Sequence, residues 1–316
     1  AETARQNLSS AIETVQEGFA LFDREDRLVM CNSRFAMHMP DVHARLQPGL
    51  GFPDYVAMVS RSPHLALEGQ TGEDWAQGRT TFGGLQVALM VRAMRGVLGA
   101  QAALPLRSVQ TTFVAALPAG SEIELRAELM RTGRTASHAR CDLWHAGSIA
   151  CTAVGLFGDP RPSNVTLDIP RPDAPSSPDP LQDLPYVPGI TPAFIQHMQL
   201  RWTIGAWPHK RYDEPRSLIY ARLRDADCRA EDALIALADS IPTPALSMLP
   251  TPRPASSLNW MLEILGDPAQ LDPRQWSLIG TDVRAGADGY LSQTSVLWGP
   301  NGHAFSVSHQ SVAIFG

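Results

Sequence analysis

Cysteine is sparse in this chain of 316 residues: four, at 31, 141, 151 and 228, with no paired spacing. That pattern suggests neither a disulfide framework nor a zinc site, and a reducing cytoplasm is the expected setting. Charge is also sparse, at 18% of residues with a net of −6, and gives no electrostatic reason to expect nucleic acid as a partner. No apolar run approaches the roughly 18 residues of a membrane span, and AETARQNLSS at the start lacks the apolar core of a signal peptide. The first residue is not Met, as in a trimmed chain or a fragment. The nine histidines form no HExxH and no clustered pair, so no metal site is expected. There is no GxSxG elbow for Ser–His–Asp chemistry and no phosphate-cradling glycine loop. What is present is an ordinary globular composition, 44% hydrophobic and long enough for two or three domains.

Residues 1–60 read as one unit. Leu8, Ala11, Ile12 and Val15 recur at helical spacing, and GFALFD and RLVMCN flank the polar turn REDR as in a hairpin. Asn32 or Ser33 is placed to cap a short helix, SRFAMHM, that Pro40 stops. From 61 to 158 the pattern changes. An extended lead-in precedes GRTTFGGLQVALMVRAMRGV (78–97), a helix headed by Gly83 and Gly84 with almost no polar face before Arg92. Strand-like runs then follow: SVQTTFVAAL, EIELRAELMR, TASHARCDLWHA and SIACTAVGLFG, parted by PAG, TG and HAG turns. Residues 159–192 carry ten prolines among Asp and Ser and read as a linker.

After the linker, from 193 to 316, the earlier pattern returns. The runs HMQLRWTI and SLIYARLR precede the apolar helix AEDALIALADSI, and four more strand-like runs follow it. The endings match too, ACTAVGLFG (150–158) against VSHQSVAIFG (307–316), which marks an internal repeat of one helix followed by several antiparallel strands. A helix apolar nearly all round is buried all round. One such helix per repeat, wrapped by a curled antiparallel sheet, is the α+β hotdog arrangement, here in tandem.

GRTTFGGLQ, LRSVQTTFVAALPAG and SVSHQSV, in that order, resemble the type II acyl-CoA thioesterases, a double-hotdog family, across residues 61–316. The resemblance implies hydrolysis of acyl-CoA thioesters without metal or organic cofactor, with acyl-CoA as the partner and a homo-oligomer left open. It implies a site in the second hotdog where an Asp on the helix, a Ser or Thr opening the next strand and a Gln on the last strand activate water. These carry over to Asp239, Ser257 (with Ser256 beside it) and Gln310. The family often has an acidic residue and a His after the Ser or Thr position, where this chain has Asn259 and Trp260. Separately, LSSAIETVQEGFALFDREDRLVMCNSRFAMHMPDV resembles the first half of a PAS sensory domain.

Without the resemblance, each residue has a plainer reading. Asp239 then caps a new turn at SIPTPAL, Ser257 is a strand-entry residue, and Gln310 is a core glutamine with its hydrogen bonds met. Gly83 and Gly84 permit tight packing; functionally, they open a helix N-terminus whose free N–H groups and dipole suit a thioester oxygen. The first half has Thr152 where the second has Gln310, so a single site built from both halves is expected. A non-catalytic acyl-CoA binding or sensor protein is the alternative. A hydratase has no His/Asp or His/Glu arrangement to support it.

Overall fold

The computed structural model describes residues 2–15, 17–37, 39–59, 61–208, 210–225, 227–251 and 253–315, with side chains from residue 8 onward. The N-terminal segment holds helix α1 (Glu2–Glu13), a hairpin of β1 (Ala20–Phe22) and β2 (Leu28–Cys31), and helices α2 (Pro40–His43) and α3 (Phe52–Val59). The hairpin forms a two-stranded sheet of its own. The helix expected over SRFAMHM is a turn instead; His38 within it lies outside the described residues. Ala36 there has φ +55, which a continuous helix cannot accommodate. The Asn32 carboxamide accepts from the N–H groups of Phe19 and Phe35 and donates to the Ile12 and Glu17 carbonyls, so it fastens helix to hairpin. Pro40 does not stop a helix but starts α2, where its missing N–H is no loss.

The first hotdog comprises β3 (His64–Gln70), the short pair β4 (Ala76–Gln77) and β5 (Thr80–Thr81), α4 (Gly83–Val97), β6 (Leu106–Phe113), β7 (Glu122–Thr132), β8 (Ala136–His145) and β9 (Ser148–Gly158). The second comprises β10 (Met198–Ile204), β11 (Arg216–Leu223), α5 (Ala230–Ala238), α6 (Ala245–Met248), β12 (Ala255–Ile264), β13 (Ser277–Ala287), β14 (Tyr290–Trp298) and β15 (Ala304–Ile314). Eleven strands make one antiparallel sheet in the order β10-β11-β13-β14-β15-β12-β6-β9-β8-β7-β3. Outward from the central β12–β6 pair the two halves repeat each other: β12-β15-β14-β13-β11 mirrors β6-β9-β8-β7-β3, with β10 added at one edge.

The two helices lie side by side inside this sheet. Nine of the fifteen α4 residues and six of the nine in α5 are buried, which explains their lack of a polar face. They run antiparallel. The last turn of α4 meets the first turn of α5, where Arg95 grips Glu231 through two bonds at 2.6 and 2.5 Å and Arg92 pairs with Asp232 at 2.8 Å. The acidic pair also suits the positive end of the α5 dipole. At the opposite end, the start of α4 meets the end of α5.

Residues 159–192 contain no helix or strand among the described residues, but they are not a free tether. Ile169, Ala174 and Leu181 pack on a second apolar cluster with Leu218, Tyr220, Leu278 and Trp298, on the outer face of the second hotdog. The Trp298 indole N–H donates to the Ile169 carbonyl at 2.8 Å. No helix is long and apolar enough to cross a membrane among the described residues. All four cysteines are free; burial raises the Cys141 thiol above its ordinary value and pushes Cys151 up to about 12.

Candidate active site

The α5 helix stops at Ala238 because the chain cannot continue it. Pro at position 242 has no N–H to give the Ala238 carbonyl. Asp239 therefore sits at the C-cap (φ −101, ψ 0) rather than within the helix. It is held at the very end of an apolar rod, directly opposite the N-terminus of α4. A Cβ built on Gly83 would lie 2.8 Å from Asp239 Oδ2 and 3.1 Å from the Phe113 ring. A Cβ on Gly84 would lie 2.7 Å from the Phe82 ring and 3.2 Å from the Ala236 backbone. The two glycines thus do different things. Gly84 lets the helices touch, and Gly83 leaves the volume that the carboxylate occupies. Phe82, the N-cap of α4, offers no side-chain cap; the Asp239 carboxylate accepts from the Gly84 N–H in the first turn instead.

Strand β15 carries Gln310 to the same point. Its Nε2 donates to Asp239 Oδ1 at 3.1 Å and to Ser257 Oγ at 2.7 Å. Ser257 enters β12 just before a register shift between Ser257 and Asn259, and it is half-buried. Its neighbour Ser256 is exposed and hydrogen-bonds only locally, to the Ser257 carbonyl. Asp239, Ser257 and Gln310, separated by up to 71 residues in sequence, are hydrogen-bonded into one group. Gly83 and Gly84 lie against it from the other hotdog.

Burial pushes the Asp239 carboxyl up to about 7; the Gln310 amide and the Gly84 N–H pull against that rise but do not cancel it. A carboxyl titrating near neutrality can take a proton from a water and later return it. The residue as a whole keeps partial exposure although its carboxyl group is buried. The rings at the start of α4 form a stack: Phe82 stacks on Phe194 at 4.3 Å, Trp75 lies 6.0 Å from Phe82, and His197 stacks on Trp75 at 4.4 Å. Phe82 and Trp75 belong to the first hotdog while Phe194 and His197 lead into the second, so the stack also spans both.

The matching corner of the first hotdog holds different chemistry. Thr152 donates to Asp142 Oδ1 at 2.5 Å, and Asp142 pairs with Arg140 at 2.7 Å. That carboxylate is already neutralised by its own strand. Two residues beside the Asp239 group escape notice in the sequence. Phe113 lies at the end of β6, and Gln293 on β14 faces Gln310 across the ladder. Both alternate in ordinary strand patterns, and only strand register brings them to the site.

Residues 71–158 match the family model of the acyl-CoA thioesterase N-terminal domain, and residues 168–314 match that of the C-terminal domain. The chain belongs to the acyl-CoA thioesterase family. Solved structures similar to this thioesterase-family chain have the same fold. A conserved hot dog fold protein from Alicyclobacillus acidocaldarius is 19% identical with a TM-score of 0.67, covering 79% of this chain and 93% of its own. The tesB protein of Mycobacterium avium subs paratuberculosis is 16% identical with a TM-score of 0.65, again over 79% and 93%. An acyl-CoA thioesterase II, TesB2, from Mycobacterium marinum is 13% identical with a TM-score of 0.63 over the same shares. No curated protein matches the sequence. The matched models begin at residue 71, so the N-terminal segment lies outside both.

Proposed function

We propose that this protein hydrolyses acyl-CoA thioesters to a free acid and CoA, using a water activated by Asp239, Ser257 and Gln310. The reading rests on one observation above all. A carboxyl with its pKa raised to about 7 lies at the N-terminus of α4, where it accepts from the Gly84 N–H, and is bonded to a glutamine that also reaches a serine. Asp239 removes a proton from water as the water oxygen attacks the thioester carbon. The oxyanion that forms draws on N–H groups at the start of α4, where the helix dipole favours negative charge. Ser257 accepts from Gln310 and keeps its own hydroxyl hydrogen for the water, so Gln310 acts on the water through Ser257. Collapse of the intermediate breaks the carbon–sulfur bond, and the proton held by Asp239 passes to the departing thiolate. Atoms balance with water as the only co-reactant.

A panel of acyl-CoAs of graded length, with thiol release followed at pH 8, tests the reading. Turnover of at least one of them, lost in Asp239→Asn, is the expected result. Tight acyl-CoA binding with no thiol release would replace the enzyme with a binding or sensor protein.

A further inference from the structure

The Asp239 group ends in Gln310, whose single amide has two edges that are not equivalent. Its Nε2 carries two hydrogens, one directed at Asp239 Oδ1 and one at Ser257 Oγ. An ionised carboxylate only accepts, so the N–H edge must face Asp239 for the bond to exist. The carbonyl edge then points away into the sheet and requires a donor of its own. Gln293 supplies it: Nε2 donates to Gln310 Oε1 at 2.7 Å from the directly opposite position on β14. Gln293 is 2% exposed, so no solvent competes for that bond. Its own Oε1 is buried without a hydrogen-bond partner among the described residues. A buried amide with one edge unpaired is costly. Its placement is accounted for by the bond that it does make.

We infer that Gln293 is a positioning residue for the proposed hydrolysis: it holds the Gln310 amide with its N–H edge toward Asp239 and Ser257. With Gln293 removed, the Gln310 amide can turn over and bring its carbonyl oxygen against the Asp239 carboxylate, where two acceptors repel. Gln293 touches neither Asp239 nor the reacting atoms, so its effect passes through Gln310. The inference rests on the reading of Asp239 as the base.

Among the described residues the groups beside Asp239 from each packed element are few, and none is charged. They are the Gly84 N–H from α4, Phe113 from β6, Ser257 from β12 and Gln310 from β15. His309, next to Gln310, turns to the other face of the sheet and contacts Ser292 and Thr294. The ion pairs of Arg92 and Arg95 lie at the far end of the helices. A change in the Asp239 titration on altering Gln293 therefore has one available route, the orientation of the Gln310 donor that lowers it.

The test is a double-mutant cycle on the full chain with acyl-CoA as substrate, comparing Gln293→Met, Gln310→Ala and the double variant. Gln293→Met removes the donor at nearly the same volume. It is expected to lower kcat by about 10- to 100-fold, the scale of a small misplacement of a reacting group, with KM within a few-fold. It should also move the acid limb of the kcat/KM profile to higher pH. In the Gln310→Ala background the same change should add less than about 3-fold, because the group through which it acts is gone. An unshifted pH profile with a rate within about 3-fold of the parent, or an equal loss in both backgrounds, overturns the inference. Should the methionine variant fail to fold, Gln293→Asn, polar but too short to reach Gln310, is read by the same criteria. Asp239→Asn is assayed alongside. If that variant hydrolyses like the parent, the reading of the base fails; if it is inactive while Gln293→Met is silent, only the inference about Gln293 fails.

Discussion

Asp239→Asn should make the protein more stable and less active, and the stability gain should depend on pH in a defined window. Burial raises the Asp239 carboxyl from an ordinary 3.8 to about 7. Below about pH 4 it is protonated in both folded and unfolded chains. Between about 4 and 7 the unfolded chain releases the proton while the folded chain keeps it, so folding stability falls as pH rises. Above about 7 both are ionised and the loss is complete. A difference of about three pH units at ~1.4 kcal/mol each puts the full loss near 4 kcal/mol, an upper figure because the residue as a whole keeps partial exposure. Asparagine has no such titration. Its amide can still accept from Gln310, but it turns a donor toward the Gly84 N–H, a fixed cost of about 1 kcal/mol at every pH. The signature is therefore the slope of the difference rather than its sign at one pH. The Tm gap between variant and parent should widen from pH 4.5 to 7 and level off by pH 8.5. Over the same range the parent's kcat/KM should rise through a midpoint near 7, while the variant loses about 10²–10⁴-fold in rate. Thermal melts at half-unit pH steps with parallel thiol-release assays measure both. A Tm difference flat across this window would refute the account of a desolvated carboxyl, as would a variant that turns over within a few-fold of the parent.

Three further outcomes follow from the same geometry. Gly83→Ala places a methyl 2.8 Å from Asp239 Oδ2 and 3.1 Å from Phe113; it should cut kcat at least about 10-fold with a melting temperature close to the parent's, whereas an active alanine variant would mean that this space is not used. Deleting residues 1–60 should leave a folded protein with unchanged kcat/KM if that segment is an appendage; aggregation or loss of the cooperative melt would place it in the core. Thr152→Ala should be within about 3-fold of the parent in rate while Gln310→Ala loses most activity, and equal damage from both would argue for two working sites per chain.

The repeat, the two buried helices and most strands are legible in the sequence because each imposes a period that the structure respects. Asp239, Ser257 and Gln310 can be named from the sequence because a familiar order of motifs points at them. Their closeness cannot be seen there, since Gln310 lies 53 residues from Ser257 and 71 from Asp239. The departure at SRFAMHM has a specific cause: Asn32 accepts from the Phe35 N–H as an N-cap does, but Ala36 takes a positive φ that ends the turn. The docking of 159–192 is hidden because Ile169, Ala174 and Leu181 have no common spacing among the prolines. Gln293 is hidden because its meaning lies in the β14–β15 register, which a polar residue in YLSQTSVLWG does not announce.

The antiparallel helix pair explains why the two halves, alike in strand order, differ in chemistry. Such a pair has two ends, and each brings one helix N-terminus against one C-terminus. At the far end, the α5 N-terminus is met by Glu231 and Asp232, each paired with an arginine of α4. Arg95 also donates to the Ala102 and Leu104 carbonyls and lies 5.0 Å over the Phe157 ring. Both acids there have an arginine partner, although Asp232 Oδ1 is buried without a hydrogen-bond partner among the described residues. Removing Arg95 would strand a half-buried glutamate, which is where the large costs of ion pairs arise. At the near end, glycines stand where side chains would be, and among the described residues no charged group acts on the carboxylate, which accepts from the Gln310 amide and the Gly84 N–H. At Asp232 the Arg92 guanidinium opposes the rise that burial causes, whereas at Asp239 only neutral donors oppose it and the carboxyl is pushed up to about 7. The same helix contact thus fastens the two hotdogs at one end and perturbs a carboxyl at the other. An arginine within reach of Asp239 would add a fastening of the first kind and remove the condition that suits the carboxyl to accept a proton.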